Sequence, residues 1–69
     1  MPAAWGYHTY AILKINQTSY SVQASCAVDM LILRVWAPSS WWPMDVAGDT
    51  EMLKVLENRW PNNWCNLTA

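Results

Sequence analysis

The stretch that decides the fold is residues 7–28, which read YHTYAILKINQTSYSVQASCAV. From Tyr7 to Asn16 the side chains alternate between two faces with a period of two, and β-branched and aromatic residues are frequent. This pattern predicts a β-strand. From Ser19 to Val28 the alternation is cleaner, with serine and glutamine on one face and apolar residues on the other. Because only short polar residues separate the two runs, we predict an antiparallel hairpin.

The remainder of the chain predicts a third strand and a helix. The run from Met30 to Trp36 is apolar except for one arginine, and it is too short for a typical core helix, so we predict a third, more central strand. A loop with two prolines follows over residues 38–48. From Asp49 to Trp60 apolar residues recur at helical spacing behind Asp49 or Thr50, each a suitable N-cap. The predicted fold is α+β, a three-stranded antiparallel sheet with one C-terminal α-helix packed on a face (β-β-β-α).

Length and charge limit the classes of function. The 69 residues suffice for one domain (1–69), whose end we expect to be a loose tail at 62–69. Four basic residues stand singly along a chain of net charge −1, whereas nucleic-acid binding requires a basic stripe. No stretch approaches the roughly 20 apolar residues that span a bilayer. We therefore expect no nucleic acid and no membrane as partner.

The N-terminal residues and the cysteines bear on the cellular compartment. The first residues lack the basic start and apolar run of a signal peptide, so a cytoplasmic location is predicted. Cys26 and Cys65 are a pair by count, which permits a disulfide without requiring one. In the cytoplasm both thiols should be reduced, with Cys26 buried and Cys65 in the loose tail. The Asn-x-Thr triplets at Asn16 and Asn66 would matter only in a secreted protein, so we expect neither to be used.

The residues of catalytic sites are scarce in this sequence. His8 is its single histidine, and the five acidic residues read as helix caps and solvated charges. One histidine and two distant cysteines do not provide the three or four ligands of a zinc site. Two isolated glycines do not form a phosphate-binding loop. The sequence therefore predicts a protein that is not an enzyme, with no catalytic residue, cofactor or metal.

Tryptophan is the residue type that points to a function. Six tryptophans in one small domain exceed what its core can bury. Trp60 lies on the apolar face of the predicted helix, whereas Trp41 and Trp42 lie in the proline-flanked loop. Exposed tryptophan is a frequent hot-spot residue at protein interfaces, because its large ring is apolar and carries one polar group. A protein-binding module is therefore predicted; the alternatives are a small viral or accessory interaction protein, or a glycan-binding module in which tryptophan stacks on sugars.

Several segments resemble the MbtH-like proteins, which are small non-catalytic partners of adenylation domains in nonribosomal peptide synthetases. The segment from Tyr10 to Asn16 is similar to that family's first strand, and residues 38–41 (Pro-Ser-Ser-Trp) resemble its Pro-x-Gly-Trp motif. Residues 51–60 of the predicted helix (Glu-Met-Leu-Lys-Val-Leu-Glu-Asn-Arg-Trp) resemble the family's helix, which ends in an acidic residue followed by tryptophan. Where the family has Ser-Leu-Trp-Pro, this chain has Ser-Val-Gln-Ala at residues 21–24.

The resemblance implies a docking mechanism. In the family, two tryptophans form a slot that receives a small side chain of the adenylation domain. Trp41 would be one wall here, with Ser21 and Val22 beside it. Trp36 or Trp42 would supply the other wall. The implied function is to bind and activate an adenylation domain without performing chemistry.

Overall fold

The sheet has the predicted three antiparallel strands. The structure, a computed structural model, describes residues 8–67. Its strands are β1 (His8–Ile15), β2 (Thr18–Ala27) and β3 (Met30–Trp36). The predicted C-terminal helix is α1 (Thr50–Arg59), and a short helix, α2 (Trp64–Leu67), follows it. The predicted α+β fold is confirmed.

The β1–β2 connection is tighter than the sequence suggested. Ile15 pairs with Thr18, so Asn16 and Gln17 alone form the turn. Both have positive φ, 49° and 67°. A two-residue turn with positive φ at both positions matches the right-handed twist of the strands it joins, and asparagine adopts this conformation more readily than most residues.

The central strand is β2, and the prediction that the third strand is the more central one is wrong. The strand order is β1-β2-β3, with Ala27 paired to Met30 across a second two-residue turn. Because both connections are tight turns, each strand pairs with its chain neighbour and β3 lies at an edge. The apolar character of β3 has another source: Ile32 and Trp36 on its outer face are half-buried, in addition to the inner-face residues.

One face of the sheet, the inner face, packs against α1. Met52 and Leu56 of α1 and the following Trp60 are buried against strand residues. The buried strand members of this core are Leu13, Val22, Ala24 and Val35. They lie on the inner face because alternate residues of a strand point the same way. Val28, which the alternation assigned to this face, is instead exposed in the β2–β3 turn.

The ends of α1 follow ordinary capping rules. Asp49 is the N-cap, and its Oδ1 accepts a hydrogen bond from the backbone N–H of Met52 at 3.0 Å. The helix ends at Arg59, with Trp60 as C-cap and Pro61 next. The predicted bounds are therefore each one residue too wide.

The segment after Pro61 corrects two predictions. Residues 62–66 do not form a loose tail, since α2 packs back on the domain and Cys65 is fully buried. The cysteines are not reduced thiols: Cys65 forms a disulfide with Cys26, with their Cα atoms 5.7 Å apart. The prediction that Cys26 is buried is confirmed. Because disulfides persist in oxidising compartments, this bond opposes the predicted cytoplasmic location. Within residues 8–67 no helix is long and apolar enough to cross a membrane.

Candidate functional site

The face of the sheet opposite α1, the outer face, carries a polar row across all three strands. Tyr10, Gln23 and Arg34 stand opposite one another in the strand register. Gln23 Nε2 donates to the Tyr10 hydroxyl at 3.2 Å, and Arg34 Nη1 donates to Gln23 Oε1 at 3.3 Å. These exposed hydrogen bonds orient long side chains and leave the ring of Tyr10 accessible.

The neighbouring row of the outer face carries two large apolar side chains with a small polar one between them. Here the strand register aligns Ile12, Ser21 and Trp36. The small side chain of Ser21 on the central strand lies between two large ones on the edge strands. Ile12 is 65% exposed and Trp36 is half-buried. We call these three residues the outer row.

The loop after β3 presents two tryptophans to solvent. We call residues 37–49 the Trp loop. Trp41 is 84% exposed and Trp42 is 68% exposed, the highest values among tryptophans within residues 8–67. Their rings meet edge to face, with centroids 5.3 Å apart and an interplanar angle of 80°. This is a favourable aromatic geometry, so each ring helps to position the other.

Hydrogen bonds hold the backbone that carries the tryptophan pair. The hydroxyl of Ser40 donates to the carbonyl of Trp42 at 3.0 Å and accepts from its N–H at 3.3 Å. The N–H of Ser40 donates to the carbonyl of Ala37 at 3.1 Å. Further along, the N–H of Met44 donates to the carbonyl of Val35 at 2.8 Å. This last bond ties the loop to β3, so residues 36–43 form a closed excursion that contains Trp36, Trp41 and Trp42.

The predicted site residues divide between the two faces of the sheet. Ser21 and Trp36 lie opposite each other on the outer face, and Trp41 and Trp42 follow in the Trp loop. Val22 does not belong with them: it is 1% exposed in the core, on the inner face. The reason is the strand period, since neighbours in a strand point to opposite faces and only one of Ser21 and Val22 can face outward.

The geometry of the tryptophan pair does not form the slot that the resemblance implied between Trp41 and Trp42. A slot that receives a side chain needs two rings with a gap between them. Rings whose centroids are 5.3 Å apart at 80° touch each other and leave no such gap. Of the two candidates for a second wall, Trp42 is therefore unsuitable.

Sequence reasoning missed an apolar groove on the inner side of the molecule. Its volume is about 320 Å³, and it lies between the edge strand β3 and α1. Its lining includes Leu31 and Leu33 of β3, Leu53 and Leu56 of α1, and Trp60. The groove exists because a single short helix does not cover a whole three-stranded face. The residue in the sequence that could have indicated it is Leu53, which is apolar and lies beside the buried helix positions.

Within residues 8–67 no three His, Cys, Asp or Glu side chains form a group that could hold a metal ion. His8 is exposed and its ring meets Tyr10 edge to face at 5.7 Å. Among the same residues the core holds no buried polar or charged side chain. The Trp loop and the outer face of the sheet offer exposed aromatic surface and hydrogen-bonding side chains.

No family model matches the chain, and neither a curated protein nor a solved structure matches it. The resemblance to MbtH-like proteins therefore stays a prediction.

Proposed function

We propose that this chain is a non-catalytic module that binds another protein through the Trp loop. The observation that supports this function is the exposure of Trp41 and Trp42 side by side. Burying one indole removes about 150–250 Å² from water, worth about 4–6 kcal/mol at ~25 cal/mol per Å². A partner with an apolar pocket would gain part of that free energy, the remainder offsetting the costs of association.

The conformation of the Trp loop favours binding at low entropic cost. The hydroxyl of Ser40 bonds to both the N–H and the carbonyl of Trp42. The hydrogen bond from Met44 to Val35 ties the far end of this segment to β3. A loop already held in one conformation loses less freedom on binding than a mobile one. Trp36 belongs to the outer row and is the last residue of β3, so the outer row adjoins the start of the Trp loop.

The partner's compartment follows from the disulfide. A chain that carries the Cys26–Cys65 bond meets its partners in an oxidising environment. We therefore propose that the partner protein shares this environment. Such a partner fits the alternative in which this chain is a small viral or accessory interaction protein. Docking on an adenylation domain rests on a cytoplasmic chain, which the disulfide opposes.

A glycan is the competing ligand, because sugar rings stack on indoles. The edge-to-face arrangement of Trp41 and Trp42 disfavours it, since two perpendicular rings do not form one flat platform for consecutive sugars. Protein side chains can instead enclose such a pair from several directions.

The test uses matched variants of exposed residues. Trp41→Ala/Trp42→Ala removes the proposed contact, whereas Met30→Ala removes an apolar side chain of 62% exposure at the β2–β3 turn. The wild type and the two variants are each immobilised and exposed to an extract of the oxidising compartment and, separately, to a purified adenylation domain. Their binding to a glycan array is measured in parallel.

The expected result is a protein retained equally by wild type and by Met30→Ala and lost with the double variant. Truncating one hot-spot tryptophan costs about 2 kcal/mol or more, which is roughly a thirtyfold loss of affinity. Binding to sugars that is lost with the double variant, without a retained protein, would refute the proposal in favour of the glycan function. Binding to the adenylation domain would restore the partner that the resemblance implies.

A further inference from the structure

We propose that Asn16 is an N-glycosylation site, modified on its Nδ2 by an oligosaccharide. The proposal does not depend on which ligand the Trp loop binds. It combines the triplet Asn16-Gln17-Thr18 with its place in the fold and with the disulfide. N-linked transfer reads Asn-x-Thr where x is not proline, which this triplet satisfies.

The triplet lies at the tip of the β1–β2 hairpin. Asn16 and Gln17 are both exposed turn residues, and Thr18 is the first residue of β2. A bulky solvated glycan is compatible only with a surface position. At this turn it would extend from the end of the sheet without displacing a core residue.

The acceptor nitrogen belongs to an exposed side chain and can keep its hydrogen bond to Glu51 after modification. Asn16 Nδ2 donates to Glu51 Oε1 at 3.0 Å, and both residues are exposed. The amide carries two hydrogens, so a second remains for exchange. Transfer from a polyprenyl-diphosphate-linked oligosaccharide forms the bond between Nδ2 and the sugar C1. It breaks the bond between C1 and the diphosphate oxygen, and the lipid diphosphate leaves while Nδ2 loses one proton. The remaining N–H can still donate to Glu51.

The disulfide supplies the compartment that the triplet requires. The positive φ of Asn16, 49°, is sufficient reason for an asparagine at this turn, because asparagine accepts that conformation. In a reducing compartment the turn conformation alone would account for Asn16, and the triplet would not be glycosylated. Cys26–Cys65 indicates instead an oxidising compartment, as in the secretory route where such transfer occurs.

The test begins with the protein from its own source, whose peptides are mapped by mass spectrometry before and after treatment with peptide N-glycosidase. We expect a glycan on Asn16 that the enzyme removes, leaving aspartate at that position. A disulfide-bonded protein whose Asn16 is entirely unmodified would overturn the proposal.

A variant series then assigns the signal to the triplet. The full chain is translated into microsomes in an Asn66→Gln background, which removes the second triplet, and this readout does not require a stable fold. Thr18→Ser keeps the required hydroxyl and should be modified. Thr18→Val keeps the β-branched shape without the hydroxyl, and Asn16→Gly keeps the positive-φ turn without the acceptor; neither should be modified. Modification of either of these two would refute the assignment to Asn16.

Discussion

Tryptophan serves two different purposes in this molecule. Trp60 is 3% exposed and packs with Met52 and Leu56 in the core, with the guanidinium of Arg59 5.3 Å from its ring centroid. Trp41 is 84% exposed and contacts its neighbour's ring. The same side chain therefore stabilises the fold at one position and offers binding surface at the other.

A pair of substitutions separates these roles. Trp60→Ala should lower the free energy of unfolding by about 3–5 kcal/mol, because it removes a large buried side chain and leaves a cavity. Trp41→Ala should change it by less than about 0.5 kcal/mol, as exposed substitutions do. Urea denaturation followed by far-UV circular dichroism measures both. A large loss of stability in Trp41→Ala would show that the loop tryptophan packs as core.

At the level of elements, the two hairpin turns of the sheet differ in how well their residues suit the backbone. The β1–β2 turn has asparagine at positive φ, a residue that tolerates it. The β2–β3 turn has Val28 at φ 60°, where a β-branched side chain is strained. Val28 is also 45% exposed, so it recovers little of that cost through burial.

Relieving this strain should stabilise the hairpin. Val28→Gly should raise the free energy of unfolding by about 0.5–1 kcal/mol. The left-handed conformation costs an ordinary residue about 1–2 kcal/mol, and the extra chain entropy of glycine offsets part of the gain. The matched control is Ala27→Gly, one residue earlier in β2, which should lower stability by roughly 0.5–1 kcal/mol. Equal losses in the two variants, measured by urea denaturation, would contradict the strained turn.

At the scale of the whole molecule, the disulfide compensates for a small core. It joins the central strand β2 to α2 across 39 residues of sequence. Domains of this size rarely obtain more than about 3–5 kcal/mol from one hydrophobic core, and small domains commonly add a cross-link. The bond also keeps α2 against the sheet, with Trp64 half-buried beside the core.

Removing the cross-link should cost a large share of the total stability. In the chain-entropy description, closing a loop of this length stabilises the folded state by about 4 kcal/mol, within a usual range of about 2–4 kcal/mol. Reductant should therefore lower the thermal midpoint of the wild type strongly. A Cys26→Ala/Cys65→Ala variant should start from the lower midpoint and not respond to reductant. Equal midpoints for the wild type with and without reductant would show that the bond does not stabilise the fold.

Local patterns in the sequence were sufficient to predict the three strands and α1, but not α2. Alternation of period two predicted β1 and β2, and helical spacing behind Asp49 predicted α1, because the side chains of one element bury a common face. The short connections likewise predicted antiparallel pairing. The same local pattern identified Trp60 as core and placed Trp41 and Trp42 in a loop, which burial confirms.

Other properties were decided only by the tertiary structure, because they depend on contacts between residues far apart in sequence. The apolar run of β3 suggested a central strand, but the order of pairing placed it at the edge. The sequence around Cys65 is polar and suggested a tail. Its burial comes from α2 folding back on the sheet to reach Cys26. Local alternation already placed Ser21 and Val22 on opposite faces of β2, and the packing of α1 then buried the apolar face that carries Val22.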